Sequence, residues 1–329
     1  MAKTAFFQIG DFMEPVCVAF TGEGKPLSVD DVHMQLIQQI IEERRQEMAE
    51  SILLKRMRAE LAKANVEAEL EAMEVSSIDK RLARVIRSEA TDTRIRNDAK
   101  SILIQKTPVK AKRYGPYFHG LDLDKALMPK ETMVLYPSWI EVFCDDDALD
   151  QLTGASCPAP DMIRNPMGCS EHYLWAAGEG SGIAGTGAGR LQSWVEFGFW
   201  FCPKQSRFHD IRPMFRLKGQ YELKADNRWY NSKYAQVNIS TLVNVYQHNW
   251  KGWSHVSILK QGAGDVNGYK EIDVDRCMYT SHFLKEGKWV FIRCTVGLDV
   301  YARGSGSFAK LDFSLNGKGF LAVPYVHVY

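Results

Sequence analysis

Hydrophobic and polar positions follow one period in the first third of the chain and a different period in the rest. From Val29 onward, apolar residues recur at steps of three and four, which is typical of a helix with one buried face. No glycine or proline occurs between Ser28 and Thr107 to interrupt this pattern. The positions of the stripe are Val29, Val32, Leu36, Ile40, Ile41, Met48, Ile52, Met57 and Leu61.

A break at Ser76-Ser77 divides this region into two predicted helices, 29–74 and 78–105. Residues 60–79 carry six acids and one base, a net charge of −5, and residues 80–113 carry eleven bases and three acids, a net charge of +8. Folding the second helix back onto the first would bring these opposite charges together. The sequence therefore predicts an α-helical hairpin over residues 28–105, preceded by a short β element at 1–27.

A connector at 106–132, rich in proline and glycine, leads into a region where the period becomes two. Phe215, Leu217, Tyr221 and Leu223 alternate with charged and polar residues, as in a strand with one solvated face. Similar runs recur between turn signals up to the C-terminus, without an intervening helical pattern. We therefore predict an α+β protein in which the helical hairpin precedes an antiparallel, jelly-roll-like β-sandwich at 133–329.

Charge and cysteine content narrow the function classes. The chain has 41 Lys and Arg against 40 Asp and Glu, so its net charge of +1 argues against a nucleic-acid partner. Its seven cysteines are an odd number spread widely, which suits reduced thiols in a cytoplasmic protein or one exported without a leader. The N-terminus lacks the apolar run of a secretory signal, and no stretch has the length and apolarity of a membrane span.

Three patterns that often carry chemistry are incomplete here. The segment 178–189 has the spacing G-x-G-x-x-G but leads into a strand-like run, whereas a nucleotide site needs a helix N-terminus. Cys157, Cys169 and His172, with Cys144 upstream, lack the close pairing of zinc ligands. The acids at 145–147 lack the other ligands of a calcium loop. We therefore predict no catalytic residues, no metal site and no cofactor.

Aromatic residues in two predicted loops are the strongest indication of a binding site. The segments 227–231 and 246–255 combine tryptophan and tyrosine with asparagine, histidine and arginine, which stack on and hydrogen-bond to ligands such as glycans or lipid headgroups. The Lys251-Gly252 pair is suited to a turn, which would place two of the rings on a loop. The alternative is that the rings fold back onto the core. The predicted ligand-binding residues are Trp229, Tyr230, Trp250, Trp253 and His255.

Three functions remain open from the sequence alone. The first is a non-catalytic interaction or assembly protein that self-associates through its helices and binds a glycan, a lipid headgroup or a protein through the sandwich. The second is a membrane-active protein of the pore-forming kind, whose helices would rearrange. The third is a hydrolase or transferase without a recognisable motif. Because no motif selects catalytic residues, the first function is favoured.

Overall fold

The computed structural model describes nine stretches of the chain. These stretches are residues 19–20, 26–27, 31–75, 133–147, 150–158, 168–179, 187–226, 233–315 and 318–329, with helix side chains described for residues 34–57 and 60. In chain order, the elements are β1 (Ala19–Phe20), β2 (Pro26–Leu27), α1 (Asp31–Val75), β3 (Met133–Leu135), β4 (Trp139–Cys144), β5 (Thr153–Ser156), β6 (Gly168–Cys169), β7 (Tyr173–Glu179), β8 (Gly187–Phe201), β9 (Arg207–Asp226), β10 (Tyr234–Gln247), β11 (Asn249–Ala263), β12 (Asp265–Cys277), β13 (Thr280–Leu284), β14 (Val290–Arg303), β15 (Phe308–Asp312) and β16 (Phe320–Val328).

Fourteen of the described strands belong to one curled antiparallel sheet that forms two layers. In the first, the helix-side layer, the strand order is β11-β10-β14-β8-β4. In the second, the opposite layer, β9 pairs with β12 and β13 on one side and with β15 and β16 on the other. Strand β7 joins the layers, because it pairs with β15 and also with the start of β8. Outside this sheet, β1 pairs antiparallel with β2.

The core lies between the two layers and explains why these segments form strands. Alternate residues of β9 and β10 are buried, so each strand sends one row of side chains into a shared core. Phe197 and Phe199 of β8 and Phe215 of β9 are completely buried within it. Burying a side chain of this size contributes about 1.5–3 kcal/mol relative to leaving it exposed. The prediction of an antiparallel, sandwich-like β region is therefore confirmed.

Helix α1 packs on the outer face of the helix-side layer. Its residues Leu36 and Ile40, one turn apart in the predicted apolar stripe, are buried, and so is Ile37, which was not predicted. They form a second, smaller apolar cluster with three rings on neighbouring strands. These rings are Trp139 of β4, Trp200 of β8 and Phe291 of β14.

Three buried acids of the sheet fix the position of the helix. Glu196 accepts from Arg44 at 3.0 Å, Asp145 from Lys55 at 2.8 Å, and Asp147 from Arg56 at 2.6 Å. Ser51 also donates a hydrogen bond to Asp145 at 2.7 Å. Because buried acids cost free energy unless they are paired, these contacts select one position of the helix along the sheet. Asp145 and Asp147, two of the three acids at 145–147, thus contact the helix.

The predicted helical hairpin is wrong. The described residues contain a single helix, and the part of its apolar stripe at Leu36, Ile40 and Ile41 packs against aromatic rings of the sheet. The predicted second helix, 78–105, lies outside the described residues. An apolar stripe identifies the buried face of a helix but not the surface that buries it, and here that surface is a β-sheet.

Candidate functional site

Strand pairing places three of the predicted binding residues on the outer face of the helix-side layer. In β10, alternate residues from Ala235 to Val245 point into the core, so Leu242, Asn244 and Tyr246 point outward. The cross-strand partners of these outward residues lie on β11 and share their face. The pairs are Tyr246 with Trp250, Asn244 with Trp253, and Leu242 with His255.

The helix covers only part of this face. Helix α1 packs over β4, β8 and β14, and β10 and β11 lie beside it. Tyr246 marks the boundary, because its ring packs against the helix-covered cluster on one side and against Trp250 on the other. We call the four residues Tyr246, Trp250, Trp253 and His255 the β11 aromatic face.

The two tryptophans of the β11 aromatic face differ in exposure. Trp250 is 37% exposed and lies edge-on to Tyr246, with centroids 5.4 Å apart. Trp253 is 68% exposed and contacts His255 edge-on at 6.3 Å. A tryptophan this exposed buries too little apolar surface to contribute much to the core. Its ring is accessible to a ligand.

A β-bulge brings Trp250 and Trp253 onto the same face. Residues three apart in a regular strand point to opposite faces. Here Val245 pairs with Gly252 and Tyr246 with Trp250, so Lys251 is an extra residue on β11. Gly252 has a φ of 145°, a conformation that suits glycine. The bulge therefore aligns two rings that would otherwise point apart.

The chain reverses at His248, three positions before Lys251, so Lys251-Gly252 is not the turn. Gln247 pairs with Asn249 across His248, whose φ is 64°. The fully buried Gln247 side chain fixes this end of the hairpin by donating to the carbonyls of Lys285 and Lys288 and accepting from the Lys285 N–H. Trp250, Trp253 and His255 thus lie on a paired strand and not on a loop.

Polar groups surround the exposed rings. Asn244 lies between Trp253 and Arg293 in the same cross-strand row. Its Oδ1 accepts a hydrogen bond from the Val245 N–H at 2.9 Å, and its amide nitrogen has no partner among the described residues. Ser240 and Ser257 continue the outward face two positions further along the strands. The face thus combines flat apolar rings with neutral hydrogen-bonding groups.

The remaining sequence candidates have other environments. Trp229 and Tyr230 lie outside the described residues. The glycine-rich segment joins β7 to β8, with Gly178 paired with Ala188, so its described ends belong to strands. Cys157 and His172 lie close together. However, no group of three His, Cys, Asp or Glu side chains in the described residues has the arrangement of a metal site.

Comparisons with known proteins give only distant similarities. No family model matches the chain, and no curated protein matches it. One similar solved structure is the carbohydrate-binding module TmCBM61 in complex with beta-1,4-galactotriose, at 7% identity and a TM-score of 0.18, covering 58% of this chain and 87% of that one. Another is the enzymatically active domain of tailspike protein 4 from bacteriophage CBA120, at 10% identity and a TM-score of 0.16, covering 55% of this chain and 18% of that one.

The described part of the chain gives no support to the pore-forming alternative or to a coiled coil. Among the described residues, no helix combines the length and apolar character that crossing a membrane requires.

Proposed function

We propose that the protein is a non-catalytic binding protein and that its β11 aromatic face binds a glycan. The observation that carries this proposal is the exposure of Trp253, 68%, on a strand that pairs with β10 along its whole length. A single exposed aromatic ring is ordinary, but several adjacent exposed rings are typical of a binding surface, and rings held on a paired strand lose little conformational entropy on binding.

The chemistry of the face favours a sugar over a charged ligand. The apolar C–H face of a pyranose ring packs against an indole, and its hydroxyl groups pair with amides and hydroxyls at the rim. Asn244, Ser240 and Ser257 supply such neutral groups beside the rings. Because Trp250, Trp253 and His255 occupy successive outward positions on one strand, the face suits a linear chain of several sugar units.

Isothermal titration with linear neutral oligosaccharides of two to six units, built from glucose, galactose, mannose or xylose, tests the proposal. We expect at least one series to bind, with affinity rising with chain length. Trp253→Ala should weaken that binding at least tenfold, since truncating a ring at the centre of a site removes about 1.4 kcal/mol or more.

Tyr269→Ala is the matched control, because Tyr269 is 71% exposed on β12, an edge strand of the opposite layer. This variant should bind like the unchanged protein. If no series binds at millimolar concentration, or if Trp253→Ala binds normally, the proposal is wrong. Binding of phosphatidylcholine vesicles that depends on Trp253 would replace the glycan with a lipid headgroup.

Self-association, predicted from the sequence, stays a prediction. Leu53, Leu54 and Met57 are each more than half exposed on α1 and form a second apolar area on the helix. The mass of the full-length protein by light scattering, compared with that of a Leu53→Glu, Met57→Glu variant, would show whether copies associate through it.

A further inference from the structure

Two cysteines and a histidine, distant in sequence, meet where β4 ends. Cys144 is the last residue of β4, and its cross-strand partner is Ser193 of β8. Cys157 directly follows β5, and His172 directly precedes β7. Both His172 and Ser193 are completely buried, whereas Cys144 and Cys157 are partly exposed. The two cysteines are therefore less enclosed than the polar groups around them.

The contacts in this cluster converge on the Cys157 sulfur. His172 Nε2 lies 3.7 Å from Cys157 Sγ, and Ser193 Oγ lies 3.9 Å from it. The Cys144 thiol donates a hydrogen bond to the same sulfur. The Cys157 sulfur thus lies within reach of the His172 imidazole and the Cys144 thiol, an arrangement that favours a thiolate.

The hydrogen bonds of Ser193 indicate which nitrogen of His172 carries the proton. The Ser193 hydroxyl has one proton, which it donates to the carbonyl oxygen of Phe143 at 2.9 Å. His172 Nε2, 3.0 Å from Ser193 Oγ, must then donate to that oxygen. His172 Nδ1 is buried without a partner among the described residues, where a bare lone pair costs less than an unpaired N–H. The Nε2–H bond therefore points to Ser193 Oγ, and the Cys157 sulfur lies 3.7 Å from the same nitrogen.

The pKa values of the thiols agree with this geometry. The hydrogen bond from Cys144 lowers the pKa of Cys157 below its usual value, with a smaller contribution from His172, although burial acts in the opposite direction. The same hydrogen bond raises the pKa of Cys144 above its usual range. By contrast, burial raises the pKa of Cys169 to about 12. Cys157 is thus the thiol of the pair that loses its proton more readily, and Cys144 is the thiol that keeps it.

We propose that Cys157 is a redox-reactive thiolate and that Cys144 resolves its oxidation by forming a disulfide with it. The oxidant is a peroxide, such as hydrogen peroxide. The Cys157 sulfur attacks one peroxide oxygen, the O–O bond breaks, and hydroxide leaves and takes up a proton to become water. Cys157 is now a sulfenic acid. The Cys144 sulfur then attacks the Cys157 sulfur, the S–O bond breaks, and a second water leaves.

The electrons balance between the two cysteines and the oxidant. Two electrons pass to the peroxide, one from each sulfur, and the product is a Cys144–Cys157 disulfide with two molecules of water. This chemistry is independent of the β11 aromatic face, which lies on another strand of the layer.

Treatment of the full-length protein with one equivalent of hydrogen peroxide, followed by alkylation and peptide mass spectrometry, tests the proposal. We expect a Cys144–Cys157 disulfide, and in Cys144→Ser a sulfenic acid at Cys157 that dimedone traps. Iodoacetamide at pH 6 should modify Cys157 about tenfold faster than Cys277, because its larger thiolate fraction outweighs its lower intrinsic nucleophilicity.

Cys277 is the matched control, because it is exposed and lies on β12, outside the cluster. His172→Gln should slow alkylation of Cys157, and thermal melts would show whether each variant remains folded. The proposal is wrong if peroxide modifies Cys277 and leaves Cys157 reduced, or if the folded Cys144→Ser protein gives no dimedone adduct at Cys157.

Discussion

The outer face of the helix-side layer has two halves that carry similar side chains in opposite situations. Under α1, Trp139, Trp200 and Phe291 are buried against Leu36, Ile37 and Ile40 of the helix. Beside the helix, on β10 and β11, Trp250 and Trp253 are exposed. This difference in exposure is not caused by the type of residue or by the secondary structure, because both groups are aromatic residues on β-strands. It comes from what covers the sheet, so the same kind of ring stabilises the fold in one half and is available to a ligand in the other.

Charge separates the two halves as clearly as burial does. The covered half contains Glu196, which is fully buried and receives Arg44 from the helix and Arg293 from β14. The bare half carries neutral hydrogen-bonding residues in the equivalent rows, among them Asn244 and Ser240. Ion pairs that fix a helix are needed only where a helix docks. A row of neutral groups beside exposed rings suits an uncharged ligand.

The largest expected effect on stability is that of replacing Phe291, at the centre of the half that the helix covers. Phe291 is completely buried between Trp139 and Trp200, with its ring centroid 4.5 Å from that of Trp200. Phe291→Ala should lower the free energy of unfolding by about 3–5 kcal/mol, because a cavity replaces the ring. Urea denaturation at neutral pH measures this loss. A loss below about 1 kcal/mol would mean that the helix contributes little to stability.

A smaller loss of stability, which depends on pH, is expected when the buried carboxylate of Glu196 is removed. Burial raises the pKa of Glu196, but hydrogen bonds and attraction from Arg293, Arg44 and Thr295 outweigh it, so the pKa is lowered overall. The ionised form is therefore favoured by folding. The stabilisation of the folded protein by ionised Glu196 is fully present above the pKa of about 4.3 that a glutamate has in the unfolded chain. This stabilisation is lost as the pH falls through the lower pKa that Glu196 has in the folded protein.

Glu196→Gln should lower the free energy of unfolding by about 3 kcal/mol at pH 7, because Arg293 and Arg44 then lose their buried anion. Urea denaturation of both proteins at pH 7, 5, 4 and 3 gives the comparison. The difference between them should be the same at pH 7 and pH 5 and should shrink below about pH 4. A difference that grows on acidification would contradict the lowered pKa.

An intermediate effect is expected at the boundary between the halves. Trp250 keeps an edge-on contact with Tyr246, which itself packs on the helix-covered cluster. Trp250→Ala should therefore cost about 1 kcal/mol, the size of one aromatic pair with partial burial. Comparing the two single variants, Trp250→Ala and Tyr246→Ala, with the double variant measures the coupling energy between the two rings. If the two losses add without a coupling energy, the rings do not stabilise each other.

Much of the fold could be predicted because one face of each long segment is buried. The alternation of Phe215, Leu217, Tyr221 and Leu223 predicts strand β9, since burial of one face imposes a period of two. The helical stripe predicts residues 29–74, and α1 extends from Asp31 to Val75. The covering surface could not be predicted. Periodicity identifies which face is apolar, but the partner depends on contacts distant in sequence.

Parts of the candidate site escaped prediction for the same reason. Glycine at 252 suits a turn and a bulge equally, and only the register with β10 distinguishes them. The segment around Gly252 can be recognised as a bulged strand only once it is known that the chain already reverses at His248. Likewise, the spacing between Cys144, Cys157 and His172 gives no sign of their meeting, because different strands bring them together.

The smallest expected effect on stability is at Trp253, and it separates the two halves most sharply. Trp253→Ala should change the free energy of unfolding by no more than about 0.5 kcal/mol, because the ring is 68% exposed and its loss leaves no cavity. Urea denaturation of Trp253→Ala and Phe291→Ala under the same conditions measures both changes in the free energy of unfolding. A loss near that of Phe291→Ala would assign Trp253 to the core. A stability unchanged within this limit, together with a tenfold loss of glycan affinity, would mean that the exposed ring serves binding and not folding.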